Sequence, residues 1–159
     1  MPPNLPTCDD DVFTPPELRI IFGNLLLTRQ IEARMDDFNT SAQLSKQERH
    51  LLIKLGVPRR MGQMAEDLNM QPSGITACAD LLEAKGYLVR ERDPDDRRAW
   101  QIRLTDEGAS AREELISVIV AQFRKVTGLS EAEIDKMADV FDAVTEHILQ
   151  SGFSKGLTI

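Results

Sequence analysis

Apolar residues recur every three to four positions along most of this chain, and every two positions in one short stretch near its middle. Leu18, Ile21, Phe22, Leu25, Ile31, Met35 and Phe38 form a single helical stripe. Thr14-Pro15-Pro16-Glu17 opens that helix, with Thr as N-cap, Pro at the first helical position and a capping-box Glu. Running to about Phe38, it spans roughly 36 Å at ~1.5 Å per residue, more than a small core needs. Ser45-Lys46-Gln47-Glu48 is a second capping box, opening a helix through Leu51, Leu52 and Leu55 that stops at Gly56-Val57-Pro58. A short helix follows over Met61–Leu68, then a tight turn at Asn69-Met70-Gln71, then a helix with Pro72 at its first position. Ile75, Ala79 and Leu82 are its inward stripe, with Leu81 beside them, and Gly86 follows as the glycine that ends it.

The two-residue period belongs to Trp100, Ile102 and Leu104, which alternate with Gln101 and Arg103 as in a half-buried strand. Tyr87-Leu88-Val89-Arg90 is the matching run before it, and Asp93-Pro94-Asp95-Asp96 between them is turn chemistry. The unit reads as a small hairpin with Arg97 and Arg98 near its exposed tip. Beyond it, Thr105 can N-cap a long helix to about Val126, carrying Leu115, Ile116, Ile119, Val120 and Phe123. Gly128 breaks that helix, and Ser130-Glu131-Ala132-Glu133 starts the last one. There Ile134, Met137, Phe141, Val144 and Ile148 alternate at three and four residues, a coiled-coil-like seam.

Helix, three-residue turn, helix and hairpin in that order predict a winged helix-turn-helix. The fold class is mainly α with a small β-hairpin wing. The expected organisation is a single domain over 1–159, with 44–105 as the DNA-binding region and 12–43 and 106–150 as dimerisation helices. The long helices have little to pack on within one chain, and a second copy would satisfy their seams. A twofold dimer also suits paired half-sites on DNA.

Charge complicates this picture. The formal net charge is −7, which opposes DNA binding. Leu44–Thr105 holds eleven Lys/Arg against nine Asp/Glu, so it carries +2 and the flanks carry −9. Acidity is concentrated outside the hairpin-bearing middle, and that asymmetry matters more than the total. No apolar run approaches a membrane span, and MPPNLPTCDDD lacks the regions of a signal peptide, so no membrane partner and a cytoplasmic setting are expected. Cys8 and Cys78 form no CxxC, and His50 and His147 are not spaced with them as ligands, so no metal is expected. Asp93, Asp95 and Asp96 do not make a calcium loop, because Arg97 and Arg98 stand where an oxygen ligand and a glycine are needed. With no phosphate loop or nucleophile elbow, neither catalytic residues nor a cofactor are expected, and the chain does not read as an enzyme.

The order of elements and two local stretches resemble the MarR family of bacterial transcriptional regulators. Asp96-Arg97-Arg98-Ala99 followed by Leu104-Thr105-Asp106-Glu107-Gly108 is similar to the family's D-x-R…LT-x-x-G wing signature. Leu82-Glu83-Ala84-Lys85-Gly86-Tyr87-Leu88-Val89-Arg90 resembles the stretch that precedes it, and the likeness extends over about 15–149. The resemblance implies a homodimer on a pseudopalindromic operator in double-stranded DNA, usually a repressor, often released by a small anionic or phenolic effector or by oxidation. Carried over residue by residue, Arg98 enters the minor groove, Asp96 holds its guanidinium, and Arg97 lies at the tip near a phosphate. Gln71, Ser73, Gly74, Thr76 and Ala77 fall on the groove-facing part of the recognition helix, where Ser73 and Thr76 can donate to phosphate or a base edge and Gln71 can read adenine. Arg59 and Arg60, at the start of the preceding helix, supply phosphate contacts, and His50 borders the effector cleft.

One departure stands out. Members commonly carry Arg or Lys just after the threonine aligned with Thr76, whereas Ala77 and Cys78 stand here, with Asp80 beyond. Base readout then leans on small polar side chains and affinity leans on the wing. The family's peroxide sensors use a cysteine in the first long helix, and none occurs there, so Cys8 and Cys78 read as packing or surface residues. The rival reading is a winged-helix protein-interaction module with weak or no DNA binding, motivated by the acidity and the uncharged recognition helix.

Overall fold

The computed structural model describes residues 15–37, 43–96 and 98–151. Helices α1 (Pro16–Asp37) and α2 (Lys46–Lys54) lead into a short strand β1 (Arg59–Arg60), then α3 (Met61–Asp67) and α4 (Pro72–Ala84). Strands β2 (Leu88–Arg92) and β3 (Trp100–Leu104) follow, then α5 (Asp106–Thr127) and α6 (Glu131–Gln150). The expectations for Thr14 as a cap, Phe38, Arg97 and Cys8 lie outside the described residues.

Caps set most of the boundaries. The Ser45 N–H donates to the Glu48 carboxylate at 2.7 Å, and the Glu48 N–H donates back to the Ser45 hydroxyl at 3.3 Å. The Ser130 N–H and hydroxyl both donate to the Glu133 carboxylate, at 2.8 and 2.6 Å. Between α3 and α4, Asn69 adopts a left-handed φ of 49°, a conformation asparagine tolerates better than most residues. That residue turns the chain so that α4 can start at Pro72, whose missing N–H is no loss there.

The core lies within the helix-turn-helix unit. Leu51, Leu52 and Leu55 of α2 and its cap, Met64 of α3, and Ile75 and Leu82 of α4 are fully buried. Leu88 of β2, Ile102 of β3 and Leu115 of α5 close it from the other side. Cys78 joins the stripe of Ile75, Ala79 and Leu82, while Leu81 is 52% exposed. Leu81 was expected beside that stripe, but two residues beyond Ala79 is about 200° further round a helix of ~3.6 residues per turn.

Strand order is β1-β3-β2, all antiparallel, with Leu88 opposite Leu104, Arg90 opposite Ile102 and Arg92 opposite Trp100. The sheet therefore has a third strand besides the predicted hairpin. Arg59 and Arg60 pair with Ile102 and Gln101 rather than starting a helix, and α3 begins one residue later at Met61. Trp100 also departs from the expected alternation. Ile102 is buried and Leu104 half-buried, but Trp100 is 49% exposed at the strand's outer end, where the Arg92 guanidinium stacks 4.1 Å from its ring centroid.

The start of α5 is fixed against the start of β2. The Thr105 hydroxyl accepts from the Gly108 N–H at 3.0 Å and donates to the Gly86 carbonyl at 2.6 Å. The Thr105 N–H donates to the Tyr87 carbonyl at 3.1 Å. Gly108 sits so close to this backbone that a Cβ on it would lie 1.8 Å from the Tyr87 oxygen. A physical reason for a threonine followed three residues later by glycine is thus visible: one caps the helix, the other lets it approach.

The long helices are different. Leu18, Ile20, Ile21, Phe22, Leu25 and Leu26 of α1 are all more than 40% exposed. No residue of α6 is fully buried: of its seam residues Ile134 and Met137 are half-buried, and Phe141, Val144 and Ile148 are 40–48% exposed.

Candidate nucleic-acid interface

Because Ile75, Cys78, Ala79 and Leu82 turn inward, α4 presents its other face to solvent. Ser73, Thr76, Ala77 and Asp80 share that face at three- and four-residue spacing, with exposed Gln71 at the N-cap. Half-buried Gly74 would bring a Cβ to 3.3 Å from the Met70 methyl group. The expectation that Thr76 donates outward needs correction. Its hydroxyl donates to the Pro72 carbonyl at 2.8 Å, so the lone pairs, not the proton, face outward.

The wing tip is organised by Asp93, which is 7% exposed. One carboxylate oxygen accepts from the Asp95 and Asp96 N–H groups at 2.9 and 3.2 Å, closing the turn. The other accepts from Arg60 Nε at 2.6 Å. Asp96 in turn accepts from the backbone N–H of Arg98 at 3.1 Å. This corrects the expected contact: Asp96 holds the Arg98 main chain rather than its guanidinium. The exposed Arg98 guanidinium has no ion-pair partner among the described residues.

Arg60, Asp96 and Arg98 are thus brought together at the wing, and the α4 residues together on one helix face. His50 lies elsewhere, at the rim of a cavity of about 100 Å³ between α1, α2 and α5, with Lys46, Arg49, Ile31, Met35 and Ile119. Partial desolvation, and then the Lys46 charge, hold the His50 imidazole below its ordinary pKa, against the Glu32 charge that raises it.

Two features escaped the sequence reading. Arg90 on β2 pairs with both Asp80 and Glu83 of α4, so the acidic residues beyond Thr76 are matched by a cation from the sheet. Glu48, read only as a capping residue, is 3% exposed and accepts from Lys85 Nζ at 2.6 Å. Lys85 also reaches the Gln43 carbonyl at 3.1 Å, so this pair ties α2 to the end of α4. Cys78 is buried and its thiol is pushed up by that burial, then by the Glu48 charge, which disfavours a reactive thiolate.

Glu48 and Asp93 make stability pH-dependent. Burial alone raises the Glu48 pKa, but hydrogen bonds from Lys85 and Ser45 outweigh it and leave the group below 4.5. The Arg60 hydrogen bond, followed by the Asp95 N–H, holds Asp93 below 3.8. Both carboxyls bind protons less readily folded than unfolded. Their stabilisation is full above the ordinary carboxylate values and is lost as pH falls through the lowered ones. Thermal melts should therefore fall steadily on acidification below about pH 4.5, and Glu48→Gln should flatten that decline while lowering the neutral-pH melt. A wild-type melting temperature constant through this range would contradict the assignment.

Residues 44–100 match the model of the MarR family. The HTH-type transcriptional repressor MdtR of Bacillus subtilis is 32% identical over 84 residues, 51% of this chain and 53% of that protein. The chain spans about half the length of the curated relatives it matches. Among solved structures, the transcriptional regulator BldR of Sulfolobus solfataricus superposes with a TM-score of 0.68 at 23% identity, covering 83% of this chain and 96% of that one. FabT of Streptococcus pneumoniae, solved in complex with DNA, gives a TM-score of 0.57 at 25% identity, over 84% and 94% of the two chains.

Proposed function

We propose that this chain is a MarR-family DNA-binding transcriptional regulator acting as a homodimer, a reading supported by the match of residues 44–100 to the family's model. One observation carries the reading: a polar, exposed α4 face stands beside a wing whose Arg98 guanidinium is exposed and has no intramolecular ion pair among the described residues. Such an arginine suits a narrow minor groove, where the negative potential is enhanced. Gln71, Ser73, Gly74, Thr76 and Ala77 read the adjacent major groove, and Arg59 lies on the sheet as a phosphate contact. Arg97, outside the described residues, is assigned the same role. The DNA-bound state of FabT supports this direction of reading.

In this reading 44–105 is the DNA-binding region, and 12–43 and 106–150 join two copies. The apolar exposure of α1 and α6 supports that division. Two copies would meet half-sites about 34–36 Å apart on a pseudopalindrome. Repression is the mode we assign, in line with MdtR, and we assign a small anionic or phenolic effector to the cavity bordered by Glu32, Lys46, Arg49 and His50, where an anion would have to displace Glu32 from Lys46.

A gel-shift on DNA flanking the chain's own gene tests the function, with a retarded, salt-sensitive complex expected. Absence of any shift at low salt would favour the protein-interaction module. Light scattering at micromolar concentration should give twice the chain mass, and a monomer would refute the dimer.

A further inference from the structure

Arg60 carries more geometry than a phosphate contact needs. Its Nε donates to Asp93 at 2.6 Å, and a terminal nitrogen lies 3.9 Å from the second carboxylate, Asp96. Arg60 stands on β1 opposite Gln101 of β3, so its backbone is fixed to the sheet one residue from the outer end of that strand. Asp93, one residue beyond β2, closes the wing turn with its other oxygen, and Asp96 anchors the Arg98 N–H. A continuous chain of contacts thus runs from the sheet edge through Arg60 and the two carboxylates to the backbone of Arg98.

We propose that Arg60 is a positioning residue for the wing: it braces the turn through Asp93 and thereby aims Arg98, and does not itself bind phosphate. The DNA half of this statement rests on the function proposed above, whereas the brace is a property of the free protein. The Asp93 side chain is 9% exposed and that of Arg60 44%, so the carboxylate end of the pair is shielded from water. A guanidinium on a carboxylate in fixed geometry is also less available to a phosphate, which would have to displace Asp93.

The variants Arg60→Gln, Asp93→Asn and the double variant separate the two roles. The Asp93→Asn change keeps an oxygen for the Asp95 and Asp96 N–H groups while removing the charge that Arg60 pairs with. In the free protein, hydrogen exchange at the Asp95, Asp96 and Arg98 amides should quicken about tenfold in Arg60→Gln, with exchange at Leu52 and Ile102 unchanged. On DNA, each single variant should weaken binding about tenfold, and the double variant should be no worse than either, since both act through one contact. The log–log salt slope should stay at the wild-type value, because no phosphate contact is lost.

Unchanged amide exchange at the tip overturns the brace, as does additive loss in the double variant. A slope lowered by about one per protomer in Arg60→Gln overturns the positioning role in favour of a phosphate contact. If wild-type protein binds no DNA, the regulator reading fails and the exchange measurement alone decides the brace.

Discussion

Gly108→Ala is expected to destabilise the chain by about 3 kcal/mol, lowering its melting temperature by roughly 10 °C. The sign is the informative part. Alanine in place of a helical glycine ordinarily gains up to ~1 kcal/mol, because it restricts the unfolded chain. Gly62 in α3 is exposed with open space around it, so Gly62→Ala should show that ordinary gain. At Gly108 the new methyl would meet the Tyr87 oxygen at 1.8 Å and its carbonyl carbon at 2.7 Å. These are backbone atoms, not the end of a flexible side chain. The Thr105 bonds to Gly86 and Tyr87 hold them in place, so the helix and strand must part or the cap must break. Calorimetry on the two variants side by side checks this, and a Gly108→Ala melt at or above wild type would contradict the close approach.

Arg98→Ala is expected to weaken operator binding about 100-fold, ~1.4 kcal/mol for each of two wings, while leaving the fold unchanged. The guanidinium makes no ion pair among the described residues, so its removal breaks no intramolecular contact of that kind. The log–log salt slope should fall by about two per dimer, one for each displaced counterion. Asp96→Ala should act in the same direction but more weakly, because it loosens the Arg98 main chain and removes no DNA contact. Substitutions at Gln71 or Thr76 should instead alter which operator variants are preferred. Titrations of wild type and Arg98→Ala on one operator across several salt concentrations decide the matter. Equal affinities with equal slopes would mean that the wing does not touch DNA.

What was legible in the chain was whatever is written locally. The Ser45–Glu48 and Ser130–Glu133 boxes, the Asn69 turn, Pro72 at the head of α4 and Gly86 at its end all act within a few residues of themselves. The inward stripe of Ile75, Ala79 and Leu82 follows from helical period alone. Contacts between distant residues left no such mark. Glu48 meets Lys85 across 37 positions and Arg60 meets Asp93 across 33, and no periodicity encodes either pairing. β1 has only two residues, too few to show alternation, so Arg59 and Arg60 read as the edge of a helix. Trp100 fitted the strand pattern, but it lies beyond the core that the pattern serves, and Arg92 rather than an apolar neighbour covers it. Asp96 was correctly tied to Arg98, though through the wrong atoms: spacing reveals that two residues meet, not whether main chain or side chain does so.

The lack of any fully buried residue in α6 has a consequence for the amount of this protein a cell must make. A helix of 20 residues that gains little from tertiary packing, with only Ile134, Met137 and Thr145 half-buried, is only marginally stable in water. In the proposed dimer its order comes from the second copy, so each chain acts as a stabilising ligand for the other and mass action sets the folded fraction. At low abundance, more copies are loosened and exposed to proteolysis. At higher abundance, each added copy also protects those already present. Active regulator would then rise faster than synthesis, giving a threshold in gene dosage that comes from helix burial rather than from any contact with DNA.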